Sequence, residues 1–202
     1  MKDKLKHING QLINYKMEKV LVIIPAKADS TRFIGKNKQI IEGKTLVEHA
    51  ISFAKSSQHN PRIIVSTEDE ETKKIAINNG VEVIHREKEF MGDREVMDVY
   101  VDVFKKLNDS TIDYVIGLQP DNPDRNVTLD DGLKYFIDLK YDDLVTVSSD
   151  GSRNGALRIT RASHIKSGYV SRRVGTILDN CTNIHSKEDL FNAEKNINER
   201  IY

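Results

Sequence analysis

Residues 20–44 read VLVIIPAKADSTRFIGKNKQIIEGK, and the order of elements in the chain follows from how this stretch is built. Its first five residues form an uninterrupted apolar run rich in β-branched side chains, the pattern of a strand buried on both faces. The next twenty carry Lys27, Arg32, Lys36, Lys38 and Lys44 against only Asp29 and Glu42. The chain as a whole is neutral, with 31 Lys and Arg balancing 31 Asp and Glu. A neutral protein that concentrates cations just past its first buried strand is expected to hold an anion there. Polyphosphate is the natural candidate. The small residues Ala26, Ala28, Ser30 and Gly35 let backbone N–H groups approach oxygens, and the lysines supply compensating charge. The alternative is a solvated basic loop.

Outward from this stretch, strand and helix patterns alternate. Thr45–Ser57 reads as a helix with Leu46, Val47, Ala50, Ile51 and Ala54 on one face and Thr45 with Glu48 as a capping box. Arg62–Ser66 reads as a strand, then a charged helix runs from Asp69 to Gly80, and Val81–Ile84 is a third strand. Arg94–Leu107 carries an unbroken helical stripe: Val96, Val99, Tyr100, Val103, Phe104 and Leu107. A strand over Ile112–Leu118 and a helix over Thr128–Leu139 follow. Strands over Asp143–Val147 and Ala156–Thr160 come next, and a helix over Ser186–Ile197 closes the chain. This alternation predicts one α/β domain over 20–202, a three-layer sandwich with a mostly parallel sheet and helices on both faces. Residues 1–19 lack a clean period and read as an N-terminal extension. In such a sheet the ligand site lies beyond the carboxyl ends of the strands, which directs attention to the loops after Ile24, Ser66, Leu118 and Val147.

Composition removes several classes. Zero net charge argues against a general nucleic-acid binder. No apolar run approaches the roughly 20 residues of a membrane span, and the first twenty residues hold no signal-peptide core, so a soluble cytoplasmic protein is expected. The one cysteine, Cys181, allows no intrachain disulfide or Cys-based zinc site and is expected to serve packing. Gly43-Lys44-Thr45 imitates the end of a P-loop, but Lys38 stands where the motif needs its first glycine. Gly35 alone cannot make a dinucleotide fingerprint.

The segment Ile24-Pro25-Ala26-Lys27-x-x-Ser30-Thr31-Arg32-x-x-Gly35-Lys36-Asn37 resembles the first motif of the sugar-acid cytidylyltransferases. Its Ser-Thr-Arg and Gly-Lys look like the 3-deoxy-manno-octulosonate branch, its Lys-Asn like the acylneuraminate branch. Asn154-Gly155-Ala156 before an apolar strand, and Ile184-x-Ser186-x-Glu188-Asp189-Leu190, are similar to later segments of the same family. The resemblance implies the nucleotide-diphospho-sugar transferase fold and transfer of CMP from CTP to a 2-keto sugar acid. It implies that Ala26, Lys27, Ser30, Arg32, Lys36, Asn37, Ser66 and Gln119 contact the nucleotide, with Lys27, Lys36 and Asp121 carrying the catalysis. Ser66 would approach the cytosine; otherwise it helps start the helix at Asp69.

Asp121 sits in Leu118-Gln119-Pro120-Asp121-Asn122-Pro123, a stretch holding two of the chain's four prolines and therefore a rigid turn. By resemblance it inherits the role of a magnesium ligand; otherwise its side chain simply forms the turn. The closing motif departs from the family, since Asn183 and His185 stand where relatives carry aspartates. Neither suits a hard cation well, so metal binding is expected to rest on Asp121, to shift toward manganese, or to be weak, with His185 still facing the phosphates. Other candidates have plainer readings: His49 is expected to face solvent, and Asp93 to serve as a helix-start residue.

Only six residues separate Val147 from Asn154, where relatives have a longer excursion that lines the sugar pocket and builds the dimer. The site is therefore expected to be more open, with a smaller or different acceptor and a homodimer formed differently or absent. Gln119, Arg153, Asn154 and Arg158 are the expected acceptor contacts, with Arg172 and Arg173 as further clamps for a carboxylate or phosphate. Two other readings remain: a cytidylyltransferase for a small phosphate or phosphonate, and a non-catalytic nucleotide-binding subunit.

Overall fold

The computed structural model describes residues 4–8, 11–15, 18–28, 33–90, 95–167 and 172–200. At the start, β1 (Lys4–Ile8) and β2 (Gln11–Tyr15) pair antiparallel as a separate hairpin, where the sequence offered no period. The buried apolar run becomes β3 (Val20–Pro25). A 3-10 turn over Lys36–Lys38 and the two-residue strands β4 (Ile40–Ile41) and β5 (Lys44–Thr45) follow. They lead into α1 (Leu46–Lys55), β6 (Arg62–Thr67), α2 (Glu70–Asn78) and β7 (Glu82–His85). Next come α3 (Val96–Leu107), β8 (Tyr114–Gly117), α4 (Leu129–Asp138), β9 (Asp143–Val147) and β10 (Arg153–Arg161). The chain ends with α5 (Ala162–Ser167), β11 (Val174–Leu178) and α6 (Lys187–Glu199).

Seven strands form one sheet in the order β11-β9-β10-β8-β3-β6-β7. All neighbours are parallel except β10, which runs antiparallel to both β8 and β9. The connection from Val147 to Arg153 is too short for the crossover a parallel pair needs, which takes about a dozen residues or more. The helices cover both faces. Alternate residues of β3 divide between them: Val20, Val22 and Ile24 pack with α1, α2 and α4, while Leu21 and Ile23 pack with α3 and α5. A smaller cluster of Ile41, Leu46, Ile184 and Ala193 joins α6 to the β4–β5 hairpin.

The helix starts follow their capping signals. Thr45 and Glu48 form the reciprocal capping box of α1, Thr128 caps α4, and Ser186 caps α6. His49 corrects the expectation of a solvent-facing ring: it is half-buried, and its Nε2 lies 2.8 Å from the Ile41 carbonyl oxygen, joining α1 to β4. The strand around Ala156 begins earlier than the apolar pattern suggests, because its register with β9 shifts between Arg153 and Arg158, around the polar Asn154-Gly155. Among the described residues, no helix is long and apolar enough to cross a membrane.

Candidate active site

Chain order reverses at β3: the path runs outward to β6 and β7, then returns to β8 on the other flank of β3. In open α/β sheets such a reversal leaves a crevice at the strands' carboxyl ends. The basic loop starts here and is fastened at both ends. The Ala26 N–H donates to the Ser66 carbonyl at 2.9 Å, and the Ala28 N–H donates to Glu68 Oε1 at 2.7 Å. Buried Asn37 donates through Nδ2 to the Lys27 carbonyl at 2.8 Å, drawing the far end of the loop back to its beginning. Gly35, with φ of 65°, turns the backbone into the 3-10 segment through a conformation that side-chain-bearing residues rarely adopt.

That turn sends Lys36 inward. Its ammonium donates to the Asp121 carboxylate and, at 3.2 Å, to the Ile184 carbonyl. The Ile184 N–H in turn donates to the Asp121 carbonyl at 3.0 Å. Three distant segments thus meet at one point: the basic loop, the turn after β8 and the closing motif. The Asp121 side chain thus bonds across the site to Lys36, beyond its own turn.

The turn after β8 is wired to the segment before α6. Asp124 accepts from the Thr182 N–H at 2.9 Å and its hydroxyl at 2.8 Å, and Asn122 donates to the Thr182 carbonyl at 3.0 Å. Asp179 accepts the N–H groups of Asn126 and Val127, each at 3.0 Å. Arg125 is buried against the Phe53 ring and donates to the Gln119 carbonyl at 2.6 Å; burial lowers its pKa to about 10. Burial likewise pushes the Cys181 thiol up to about 12, in keeping with a packing role.

Ser66 lies at the end of β6, almost wholly buried, and its hydroxyl has no hydrogen-bond partner among the described residues. It does not start α2: Asp69 caps that helix, accepting from the Thr72 N–H at 2.8 Å, while Thr67 accepts from the Asp69 N–H at 3.1 Å. Lys27 is half-buried at the loop's start. Ser30, Arg32 and Asp93 lie outside the described residues.

Beside this junction is a cleft of roughly 220 Å³ that gathers Gln119, Arg153, Asn154 and Arg158, the four expected acceptor contacts, together with Asn183 and Tyr100. Val96, Met97, Val145 and Leu157 supply its apolar walls. Two of the four are already engaged. Arg158 makes a two-pronged pair with Asp143 at 3.0 and 2.5 Å, and Asn154 donates to the Asp179 carbonyl at 2.6 Å. Gln119 rests on Gly155, where a Cβ would lie 2.4 Å from its Nε2 and φ is +74°. Arg153 is exposed at the rim. Arg172 and Arg173 are exposed at the approach to β11 and do not line the cleft.

The donor set fits a cation arriving with a triphosphate better than one held by the protein alone. Asp121 Oδ2 takes the Lys36 ammonium, while Oδ1 has no hydrogen-bond partner among the described residues and can offer one hard oxygen. Among those residues no group of three His, Cys, Asp or Glu could enclose a metal. The backbone N–H of His185 donates to Asp189 at 2.9 Å, and its ring is half-buried next to the junction at Ile184. Sequence reasoning missed two further residues. Glu68 anchors the loop and carries a buried second oxygen without a hydrogen-bond partner; its charge faces Arg86, whose buried guanidinium donates to the Phe90 carbonyl at 2.8 Å. Tyr100 was legible only as one member of a helical stripe.

The chain is 32% identical over 111 residues to the CMP-N,N'-diacetyllegionaminic acid synthase of Legionella pneumophila, a match covering 53% of this chain and 48% of that protein. It is 36% identical over 103 residues to the 3-deoxy-manno-octulosonate cytidylyltransferase of Wigglesworthia glossinidia brevipalpis, covering 51% and 41%. The chain spans about half the length of the curated relatives it matches. Among solved structures, CMP:2-keto-3-deoxy-manno-octonic acid synthetase complexed with CTP superposes with a TM-score of 0.71 at 14% identity, covering 91% of this chain and 100% of that one. A cytidylyltransferase from Leptospira borgpetersenii gives 0.63 at 20% identity, covering 86% and 84%. These two likenesses establish the fold. Residues 21–133, more than half the chain, match the family model described as cytidylyltransferase, and the chain belongs to that family.

Proposed function

We propose that the protein transfers the cytidylyl group of CTP to a 2-keto sugar acid and releases pyrophosphate. The observation that carries this reading is the meeting of Lys36, Asp121 and Ile184 beside a cleft sized for a small acceptor. An acceptor oxygen attacks the α-phosphorus and forms the new P–O bond, and pyrophosphate departs with the electron pair of the α–β bridge. Lys36 and Lys27, with the amides of the loop, hold the triphosphate and offset the charge that grows on the departing group. Positioning and electrostatics suffice, and no covalent enzyme intermediate is needed. Asp121 would hold a magnesium or manganese ion brought in on the nucleotide, with His185 close by. When bound, such an ion neutralises phosphate charge. Ser66 and the β6 end would take the base, and Gln119 and Arg153 the acceptor. Val96, Met97, Val145 and Leu157 suit an acceptor with acetyl or deoxy groups, the former named in the Legionella relative and the latter in the Wigglesworthia one.

A pyrophosphate-release assay with CTP, magnesium or manganese, and a panel of 2-keto sugar acids tests the reading. Release with a keto sugar acid supports it; release only with small phosphates or phosphonates would change the acceptor class. A second reading, a non-catalytic nucleotide-binding subunit, is favoured by Asn183 and His185 in the closing motif. CTP binding without turnover on the whole panel would decide for it.

A further inference from the structure

Tyr100 belongs to the buried stripe of α3, yet its ring does not end in the core. It crosses β8 at Gly117, where a Cβ would lie 2.1 Å from ring Cζ and 2.5 Å from the hydroxyl. Any residue but glycine at 117 would collide with the ring. Through this notch the phenol reaches the cleft that holds Gln119 and Arg153. Tyr100 is only 4% exposed, and among the described residues no hydrogen bond involves its hydroxyl. The hydroxyl is not among the buried polar atoms left without a partner, so it opens onto the cleft, and a phenylalanine would fill the same core position without presenting a donor there. Burial holds the phenol's pKa far above its usual range, against the opposing pull of Arg158 and with the nearby Asp121 charge adding to the rise. The group therefore stays a neutral donor. Arg158 is engaged by Asp143, which leaves the exposed Arg153 as the rim cation facing a bound acid.

We propose that the Tyr100 hydroxyl, admitted by the Gly117 notch, donates a hydrogen bond to the carboxylate of the acceptor and so selects for an acid. This rests on the cytidylyltransferase reading above. Tyr100→Phe removes one oxygen and keeps the packing. In steady-state assays with CTP and a 2-keto sugar acid, the variant should lose roughly 10- to 100-fold in kcat/KM for the acceptor, the range for a hydrogen bond to a charged group. Its KM for CTP and its Tm should stay at wild-type values. With the acceptor's methyl ester, which lacks the charge, the gap between wild type and Tyr100→Phe should shrink, a result that loss of packing alone would not produce. Gly117→Ala, which pushes the ring aside, should show the same acceptor-selective loss. Acceptor kcat/KM within twofold of wild type in Tyr100→Phe, an equal loss for acid and ester, or an equal rise in the KM for CTP would overturn the inference and leave the function intact. A wild-type protein inactive on the whole panel would remove the functional reading and this inference with it.

Discussion

Lys36 and Asp121 stand 85 residues apart in the chain and meet as a largely buried ion pair at the carboxyl edge of the sheet. The pair does two things at once. It locks the basic loop onto the turn after β8, and it sets a positive charge where phosphate oxygens are proposed to lie. Removing one member of a buried pair leaves the other uncompensated, at a cost of about 3 kcal/mol. Lys36→Met should therefore lower stability by about that amount and abolish pyrophosphate release, read by urea denaturation and the release assay. Lys36→Met combined with Asp121→Asn should recover most of the stability and none of the activity. Full additivity of the two stability losses would show that the residues do not act as a pair.

Asn37 acts at one remove, through the Lys27 carbonyl. Asn37→Ala frees the start of the loop while leaving both lysines in place. The KM for CTP should rise by roughly tenfold, as expected for about 1.4 kcal/mol of lost positioning, with kcat changed much less. A fall in kcat at unchanged KM would assign Asn37 to the chemical step instead.

The capping box of α1 carries a pH signature. The Thr45 backbone N–H bonded to Glu48 holds that carboxyl below the usual glutamate range, against a smaller opposing effect of burial. A carboxyl whose pKa is depressed by folding stabilises the fold above its unfolded pKa, and that stability is lost as pH falls through the folded value. Glu48→Ala should cost about 1 kcal/mol near neutrality, and its difference from wild type should shrink as pH falls below the usual glutamate range and vanish once Glu48 is protonated in the folded protein. Thermal unfolding of both proteins between pH 3 and 7 reads this directly. A difference that persists at low pH would mean that the loss comes from packing.

Much of this was legible in the sequence. Val20–Ile24 announced the central strand because a strand covered on both faces needs no polar alternation. The basic loop pointed to Lys36, while Asp121 was singled out by the proline-rich turn after the fourth strand and by the family resemblance. Their contact was not legible, since it depends on β8 lying beside β3 and on Ile184 returning from the far end of the chain. The edge strand β11 escaped because its exposed Val174, Thr176 and Leu178 face solvent and leave no apolar run. Six-residue α5 is too short to show a period. Tyr100 shows the same limit: helical spacing marks a buried face but cannot tell which ring extends through it, and only the notch at Gly117 does.

Cys181 provides a test of the packed segment beneath the turn after β8. Its buried thiol, with a pKa raised to about 12, should not react with Ellman's reagent at pH 8 until the protein is unfolded. Cys181→Ala should retain full turnover. Rapid labelling of the native protein, or inactivation by it, would show that the segment joining Asp179 to Asn183 opens to solvent.

Whether the loop behind β3 receives CTP in particular is tested most directly by thermal stabilisation with the four nucleoside triphosphates. At about 100 times its dissociation constant a ligand adds roughly 2.7 kcal/mol, enough to raise the Tm of a domain this size by about 5–10 °C. CTP with magnesium should produce that shift, and ATP, GTP and UTP at the same concentration should fall well short of it. Equal shifts from all four nucleotides, or none from CTP, would contradict the assignment.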